Sequence, residues 1–264
     1  MNKPKVFITR KWPKSVEAKL KERYQVTLNE DDRPLSAEEF KSALQQYDAV
    51  CPTVCDSFPA EVINITNKRC KILANFGVGY NHIDVTAAKQ QGLAITNTPG
   101  VLTHSTADIA MTLLLMSARR GAEGDRLVRS KQWQGWCPTH MLSSNVTGAT
   151  LGLIGFGRIA HAMARKAHHG FDMNIIYFNP SPANEYVVDD LQATRCANLE
   201  ELLQKSDFVS LHCPGNAETK HLINSDTLKL MKPSAHLINT ARGDVVDTQA
   251  LIAALKNNKL PVLA

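Results

Sequence analysis

Apolar residues in the first hundred positions recur in two alternating patterns. Short runs rich in β-branched residues predict strands over residues 6–9, 49–51, 72–74 and 94–96, with a weaker one over 24–28. Between them the apolar positions fall at helical spacing, over 13–23, 36–46, 59–66 and 84–91. The helix ends carry matching punctuation. Pro13 stands at the start of the first, Ser36 with Glu39 three residues later is a capping-box signature, and Gly92 closes the fourth. Strands that alternate with helices imply a parallel sheet covered by helices. The cluster Asn97-Thr98-Pro99-Gly100 then marks a turn and a boundary, which predicts domains over residues 1–100 and 101–264.

The second half repeats the pattern after an interruption. Residues 103–120 predict a helix with a broad apolar face, largely buried where the two domains meet. Residues 121–148, with Trp133, Trp136 and Pro138, have weak periodicity and read as an irregular arm. Aromatic anchors there favour an interface with a second subunit; the alternative is a self-packed surface loop. Alternation resumes with strands over 151–154, 174–178, 208–212 and 236–239. Helices are predicted from Arg158 and over 199–204, 225–231 and 248–257, and residues 261–264 read as the opening of one more strand. The fold class is therefore α/β, with two doubly wound parallel sheets.

The segment that carries candidate chemistry is Leu151-Gly152-Leu153-Ile154-Gly155-Phe156-Gly157-Arg158-Ile159-Ala160. It reads as a strand, a glycine turn and a helix that sends Ala162, Met163 and Ala167 toward a core. Gly155 permits the tight turn, Gly157 leaves the backbone open to a pyrophosphate, and Ala160 allows close helix–strand packing. Free N–H groups and the positive end of the helix dipole would face the phosphates. Glycine turns of this kind also occur without a ligand. The next strand tips the balance, because it ends at Asn179, about 24 residues after Gly155, where a ribose-contacting residue belongs. A dinucleotide is the favoured occupant.

Composition narrows the classes further. The 264 residues are 44% hydrophobic and 21% charged, an ordinary globular balance, and the net charge of +5 is spread too evenly for a nucleic-acid footprint. Basic residues between Arg119 and Lys131 read as a solvated face. No secretory signal core opens the chain, and the apolar run over 109–118 is about half the length of a membrane span, so a cytoplasmic protein is expected. Six scattered cysteines predict reduced, mostly buried thiols. The histidines form no ligand cluster, no metal site is predicted, and the His168–His169 pair at a helix end reads as structural.

A second glycine pair lies in Asn75-Phe76-Gly77-Val78-Gly79-Tyr80, just after the strand over 72–74. Successive backbone N–H groups in such a turn can form a concavity for a small carboxylate. A plain strand-to-helix turn accounts for the same residues.

Five motifs in order now carry a resemblance. They are Asn75-Phe76-Gly77-Val78-Gly79, Trp133-Gln134-Gly135-Trp136, Gly155-Phe156-Gly157-Arg158-Ile159, Leu211-His212-Cys213-Pro214 and Asn239-Thr240-Ala241-Arg242-Gly243. Together they resemble the D-isomer-specific 2-hydroxyacid dehydrogenases, in the glyoxylate/hydroxypyruvate reductase and glycerate dehydrogenase branch. The resemblance implies a flavodoxin-like substrate-binding lid domain, a Rossmann dinucleotide-binding domain, a cleft between them and a homodimer gripped through the arm over about 121–148. It implies an oxidoreductase that moves hydride between NAD(P)H and a small 2-keto acid.

Carried over residue by residue, the resemblance assigns Val78, Gly79 and Arg242 to the substrate, with Arg242 as the catalytic residue. A planar, permanently charged guanidinium suits a 2-keto acid and the alkoxide it becomes. Cofactor contacts fall to Thr106, Gly155, Phe156, Gly157, Arg158, Ile159, Asn179, Ser181, Cys213, Pro214, Thr240 and Ala241. Asn179 stands where NAD-preferring members carry an acid that repels a 2′-phosphate, so NADP is slightly favoured over NAD, although Pro180-Ser181-Pro182 supplies no arginine. The family's histidine acid, its glutamate partner, a Gly-Leu-Asp-Val-type strand and the lid's return segment correspond to positions after Ala264. A dinucleotide-binding fragment without turnover is therefore the alternative reading, and a corepressor-like binding protein a lesser one.

Overall fold

The computed structural model describes residues 3–256. They form two compact units that divide between Val101 and Leu102, each built on its own five-stranded parallel sheet.

The first unit runs β1 (Lys5–Ile8), α1 (Lys14–Arg23), β2 (Gln25–Leu28), α2 (Ala37–Gln46), β3 (Ala49–Cys51), α3 (Ala60–Ile63), β4 (Ile72–Ala74), α4 (Val85–Gln90) and β5 (Ala94–Thr96). Its strand order is β2-β1-β3-β4-β5, the flavodoxin-like arrangement. The capping box forms as read: Ser36 Oγ accepts from Glu39 N–H while the Glu39 carboxylate takes the Ser36 N–H at 2.8 Å. The expected helix over 59–66 is shorter than its pattern, a single turn that ends at Asn64, with Asn67 in the left-handed region at φ 57°. Ile63, Ile65 and Thr66 are β-branched and resist continuation.

The second unit runs α5 (Thr103–Ala118), α6 (Gly121–Arg129), β6 (Thr150–Ile154), α7 (Arg158–Phe171), β7 (Asn174–Phe178), α8 (Glu185–Leu191), β8 (Thr194–Arg195), α9 (Leu199–Lys205), β9 (Phe208–Leu211), α10 (Ser225–Leu230), β10 (His236–Asn239) and α11 (Thr248–Lys256). The order β10-β9-β6-β7-β8 is that of a Rossmann fold, with β6 at the centre and the strand order reversing between β6 and β9. Side chains alternate between two cores. Leu151, Leu153, Ile175 and Tyr177 pack with α5 and α7, whereas Ile154, Ile176, Val209 and Leu211 pack with α9, α10 and α11.

Two further expectations are corrected. The helix over 103–120 buries one stripe, Ala107, Ala110, Met111, Leu114 and Ala118, but leaves Ile109 and Met116 exposed, so it is not largely buried. The arm is not irregular throughout: residues 121–129 form α6 despite two glycines, after Arg120 in the left-handed region at φ 53°. Ion pairs Arg120–Glu123 and Arg129–Asp125 brace it weakly, since both are exposed and screened by solvent. Short β8 and α8 have no periodic signal and were not predicted. The strand expected over 261–264 lies outside the described residues. His168 donates through its Nδ1 N–H to Met173 O at 3.1 Å, a bond within its own helix end, and Cys51, Cys70, Cys196 and Cys213 are buried free thiols, with Cys55 and Cys137 exposed.

Candidate active site

The carboxyl ends of β6 and β9 meet at the reversal of strand order. Gly155 leaves β6 at φ 83°, and a Cβ there would lie 2.7 Å from Cys213 N and 2.8 Å from His212 C. No other residue fits: the conformation and the approach of the β9 loop both exclude a side chain. Gly157 is different. Its backbone is extended, φ −95° and ψ −167°, and a Cβ there would meet nothing within 4 Å. The protein's own packing does not call for glycine at this position, so the space it leaves is available to an occupant.

That space faces the start of α7. The helix has no side-chain cap, and the first bond across the turn is His161 N–H to Gly157 O at 2.9 Å. The N–H groups of Arg158, Ile159 and Ala160 consequently have no acceptor among the described residues, and they coincide with the positive end of the helix dipole. Phe156 is buried beneath the turn, stacked on Tyr177 with centroids 4.1 Å apart. Its N–H donates to Asn179 Oδ1 at 3.3 Å, and Asn179 Nδ2 donates to Ser181 O at 2.9 Å and Ser181 Oγ at 3.2 Å. The glycine turn and the end of β7 are thereby tied together.

A second edge of the site follows β9 and β10. Asn239 Oδ1 accepts the Ala241 N–H at 2.9 Å while its Nδ2 donates to Arg242 O at 2.9 Å, so the side chain closes the Asn239–Arg242 turn on itself. Arg242 is half-buried, donates through Nη1 to Ala241 O at 2.9 Å, and lays its stem over Gly215, where a Cβ would come within 2.9 Å of Arg242 Cγ. The Cys213–Gly215 loop and the Thr240–Arg242 turn thus lie side by side. Thr240 Oγ1 is buried in this turn and has no hydrogen-bond partner among the described residues, a costly state for a hydroxyl unless a bound molecule satisfies it. Thr106 lies in the first turn of α5, which packs along α7, and its N–H bonds to Leu102 O.

His212 is not an acid for this site. Burial pushes it down to about 4, and its Nε2 lies 3.0 Å from Ser210 Oγ and 3.3 Å from Met163 Sδ, under the sheet beside α7. Burial likewise lowers His236, which sits between Ser117 Oγ and Ser144 Oγ.

In the first unit, the Asn75–Gly79 loop turns its carbonyls inward. Gly77 O accepts from Thr98 N–H and Asn75 Nδ2, Gly79 O from Asn75 Nδ2 at 3.0 Å, and Val78 O from Asn97 Nδ2 at 2.8 Å. The N–H groups of Val78 and Gly79 have no acceptor among the described residues, which leaves two donors for an anion. Asn75 and Asn97 hold this geometry. Asn75 stands in the glycine motif and Asn97 in the turn cluster, but only the tertiary structure shows their contacts. Arg195 was likewise missed: on the two-residue strand β8 no pattern singled it out, yet its Nη2 donates to Asn179 O and Pro180 O.

Residues 111–264 match the family model described as D-isomer specific 2-hydroxyacid dehydrogenase, NAD binding domain. The chain is 45% identical over 258 residues to a glyoxylate reductase of Thermococcus onnurineus, an alignment that covers 96% of this chain and 76% of that protein. A solved D-isomer specific 2-hydroxyacid dehydrogenase, NAD-binding, of Polaromonas, itself an uncharacterised assignment, superposes with a TM-score of 0.89 at 35% identity over 98% of this chain and 81% of that one. An acyclic imino acid reductase solved with NADPH and D-Arg superposes with a TM-score of 0.85 at 31% identity, over 98% and 81%.

Proposed function

This chain belongs to the D-isomer-specific 2-hydroxyacid dehydrogenase family, and we propose that Arg242 and the Gly155–Ile159 turn equip it to reduce a small 2-keto acid of the glyoxylate or hydroxypyruvate class. It is an NAD(P)-dependent oxidoreductase. The observation that carries the cofactor reading is Gly157, whose missing side chain answers to no demand of the protein's own packing.

The residues present fit the cofactor. The uncapped N–H groups of Arg158 to Ala160 would receive the pyrophosphate, Asn179 and Ser181 would hold the ribose, and the Thr240 hydroxyl with Ala241, Cys213 and Pro214 would line the remainder. Thr106 joins this set from α5. When bound, the reduced nicotinamide supplies a hydride. Arg242 binds the carboxylate and the keto oxygen of the substrate, and its fixed positive charge stabilises the alkoxide as negative charge grows on that oxygen. The Asn239 clamp and Gly215 orient it. In the first unit, the Val78 and Gly79 N–H groups are a carboxylate-binding element.

The arm over about 121–148 is assigned to contact with a second copy of the chain. Trp133 and Trp136 are 54% and 83% exposed, and Leu142 is 67% exposed, an apolar set that a homodimer would cover. Among the described residues no helix is long and apolar enough to cross a membrane, and a cytoplasmic location remains part of this reading.

The test is loss of reduced-nicotinamide absorbance with glyoxylate and hydroxypyruvate, with NADPH and NADH in turn. It should be run on this chain and on one carrying the additional length of its relatives, beside light-scattering mass in solution. Turnover of a 2-keto acid by either form supports the reading. Absence of turnover in both, with no dinucleotide bound, overturns it.

A further inference from the structure

The end of β7 holds a cation that the sequence around it does not announce. Arg195, paired in register with Tyr177 across β7 and β8, reaches back so that one nitrogen, Nη2, donates to Asn179 O at 3.0 Å and to Pro180 O at 3.1 Å. Its side chain is exposed, and no carboxylate pairs with it among the described residues. Two neutral carbonyls position the guanidinium without cancelling its charge. Nε and Nη1 remain free to donate, in the fixed fork that matches a phosphate. Beside it, Ser181 Oγ accepts from Asn179 Nδ2, which leaves the Ser181 hydroxyl proton to donate outward. Asn179 itself brings no negative charge to this corner.

We propose that Arg195 and Ser181 form a subsite for the 2′-phosphate of NADP(H), with Arg195 as the specificity-determining residue. The inference rests on the dinucleotide reading and deepens it. In a Rossmann fold the adenosine ribose lies at the end of the second strand, here β7, and the side chains at that end decide between a free 2′-hydroxyl and a 2′-phosphate. An arginine beside the turn is absent here, since Pro180-Ser181-Pro182 follows Asn179. Strand β8 supplies one from the adjacent edge, brought there by parallel pairing and not by proximity in the chain. The competing role for Arg195 is a strap that closes the Asn179–Pro180 turn and touches no ligand.

Titration calorimetry on the purified chain separates these roles, with NADPH, NADH and the fragments 2′,5′-ADP and 5′-AMP as probes. The wild type is expected to bind NADPH at least about 10-fold more tightly than NADH, and 2′,5′-ADP more tightly than 5′-AMP. Arg195→Met, which keeps the stem, and Arg195→Ala should weaken NADPH by about 10- to 100-fold and NADH by no more than about 2-fold. Arg195→Lys, a charge without the fork, should fall between. Rising salt should weaken NADPH more steeply than NADH in the wild type and equally in Arg195→Met. Equal losses for both dinucleotides in Arg195→Met and Arg195→Lys would establish the strap and overturn the proposal, as would a wild type that prefers NADH. If neither dinucleotide nor fragment binds the folded wild type, the dinucleotide reading falls and this subsite with it.

Discussion

The backbone N–H of Phe156 donates to the Oδ1 of Asn179 at 3.3 Å, so the turn after β6 and the end of β7 form one rigid edge. Phosphate recognition and ribose recognition are thereby coupled through a single amide side chain. Asn179→Asp keeps the acceptor for Phe156, loses the donor to Ser181 and places a carboxylate at the ribose. NADH affinity relative to NADPH should rise about 10-fold or more, because the carboxylate accepts from ribose hydroxyls and repels a 2′-phosphate. Fluorescence titration with both dinucleotides reads the ratio, and an unchanged ratio would remove Asn179 from the cofactor site.

The two turn glycines should fail differently when substituted. Gly155→Ala meets Cys213 N and an unfavourable φ of 83°, so it should cost about 2 to 4 kcal/mol of stability, visible as a large fall in melting temperature. Gly157→Ala has open space and extended backbone. Its melting temperature should stay near the wild-type value, while dinucleotide binding drops about 10-fold or more as the methyl group meets the pyrophosphate. Unaltered binding in Gly157→Ala would mean that nothing occupies the space in front of α7.

Arg242 is predicted to act on turnover and not on folding or cofactor binding. Its guanidinium donates to Ala241 O, while the turn that carries it is closed by Asn239. Arg242→Gln should lower kcat/KM for the 2-keto acid by about 100-fold or more, the usual cost of one oxyanion-stabilising group, with dinucleotide affinity unchanged. Arg242→Lys should recover only part, since it keeps the charge and loses the fork. A loss confined to dinucleotide affinity would reassign the residue.

Acid should weaken the second unit over a defined window. Burial holds folded His212 at about 4, below its ordinary value near 6.5. As pH falls from 6.5 toward 4 the unfolded chain takes up a proton that the folded chain refuses, so stability is present in full above that window and lost through it. The loss from this group reaches at most about 3 kcal/mol. His161 and His236 act in the same direction, also through burial. His212→Asn should therefore show a smaller fall in melting temperature between pH 7 and pH 4.5 than the wild type, whatever its stability at neutral pH. Parallel falls would exclude His212 as the cause.

By itself the sequence determined the two sheets, nearly every strand in them and the glycine turn, because those features are written in short-range periodicity and in residue types that sterics demand locally. Gly155 was legible for that reason. Motif position already assigned Gly155 the tight turn and Gly157 the open backbone; what the sequence could not supply is the contact with Cys213 that excludes a side chain at Gly155, which only the packing across β6 and β9 creates. Helix α6 and strand β8 were also beyond it, since two glycines obscured the first and two residues make no period. The roles of Asn75, Asn97 and Asn239 were decided by which carbonyls came within reach. Arg195 is the clearest case, sixteen residues from Asn179 in the chain yet 3.0 Å from its carbonyl. Parallel pairing of β7 with β8 brings them together, and such long-range register depends on the whole sheet and not on either neighbourhood.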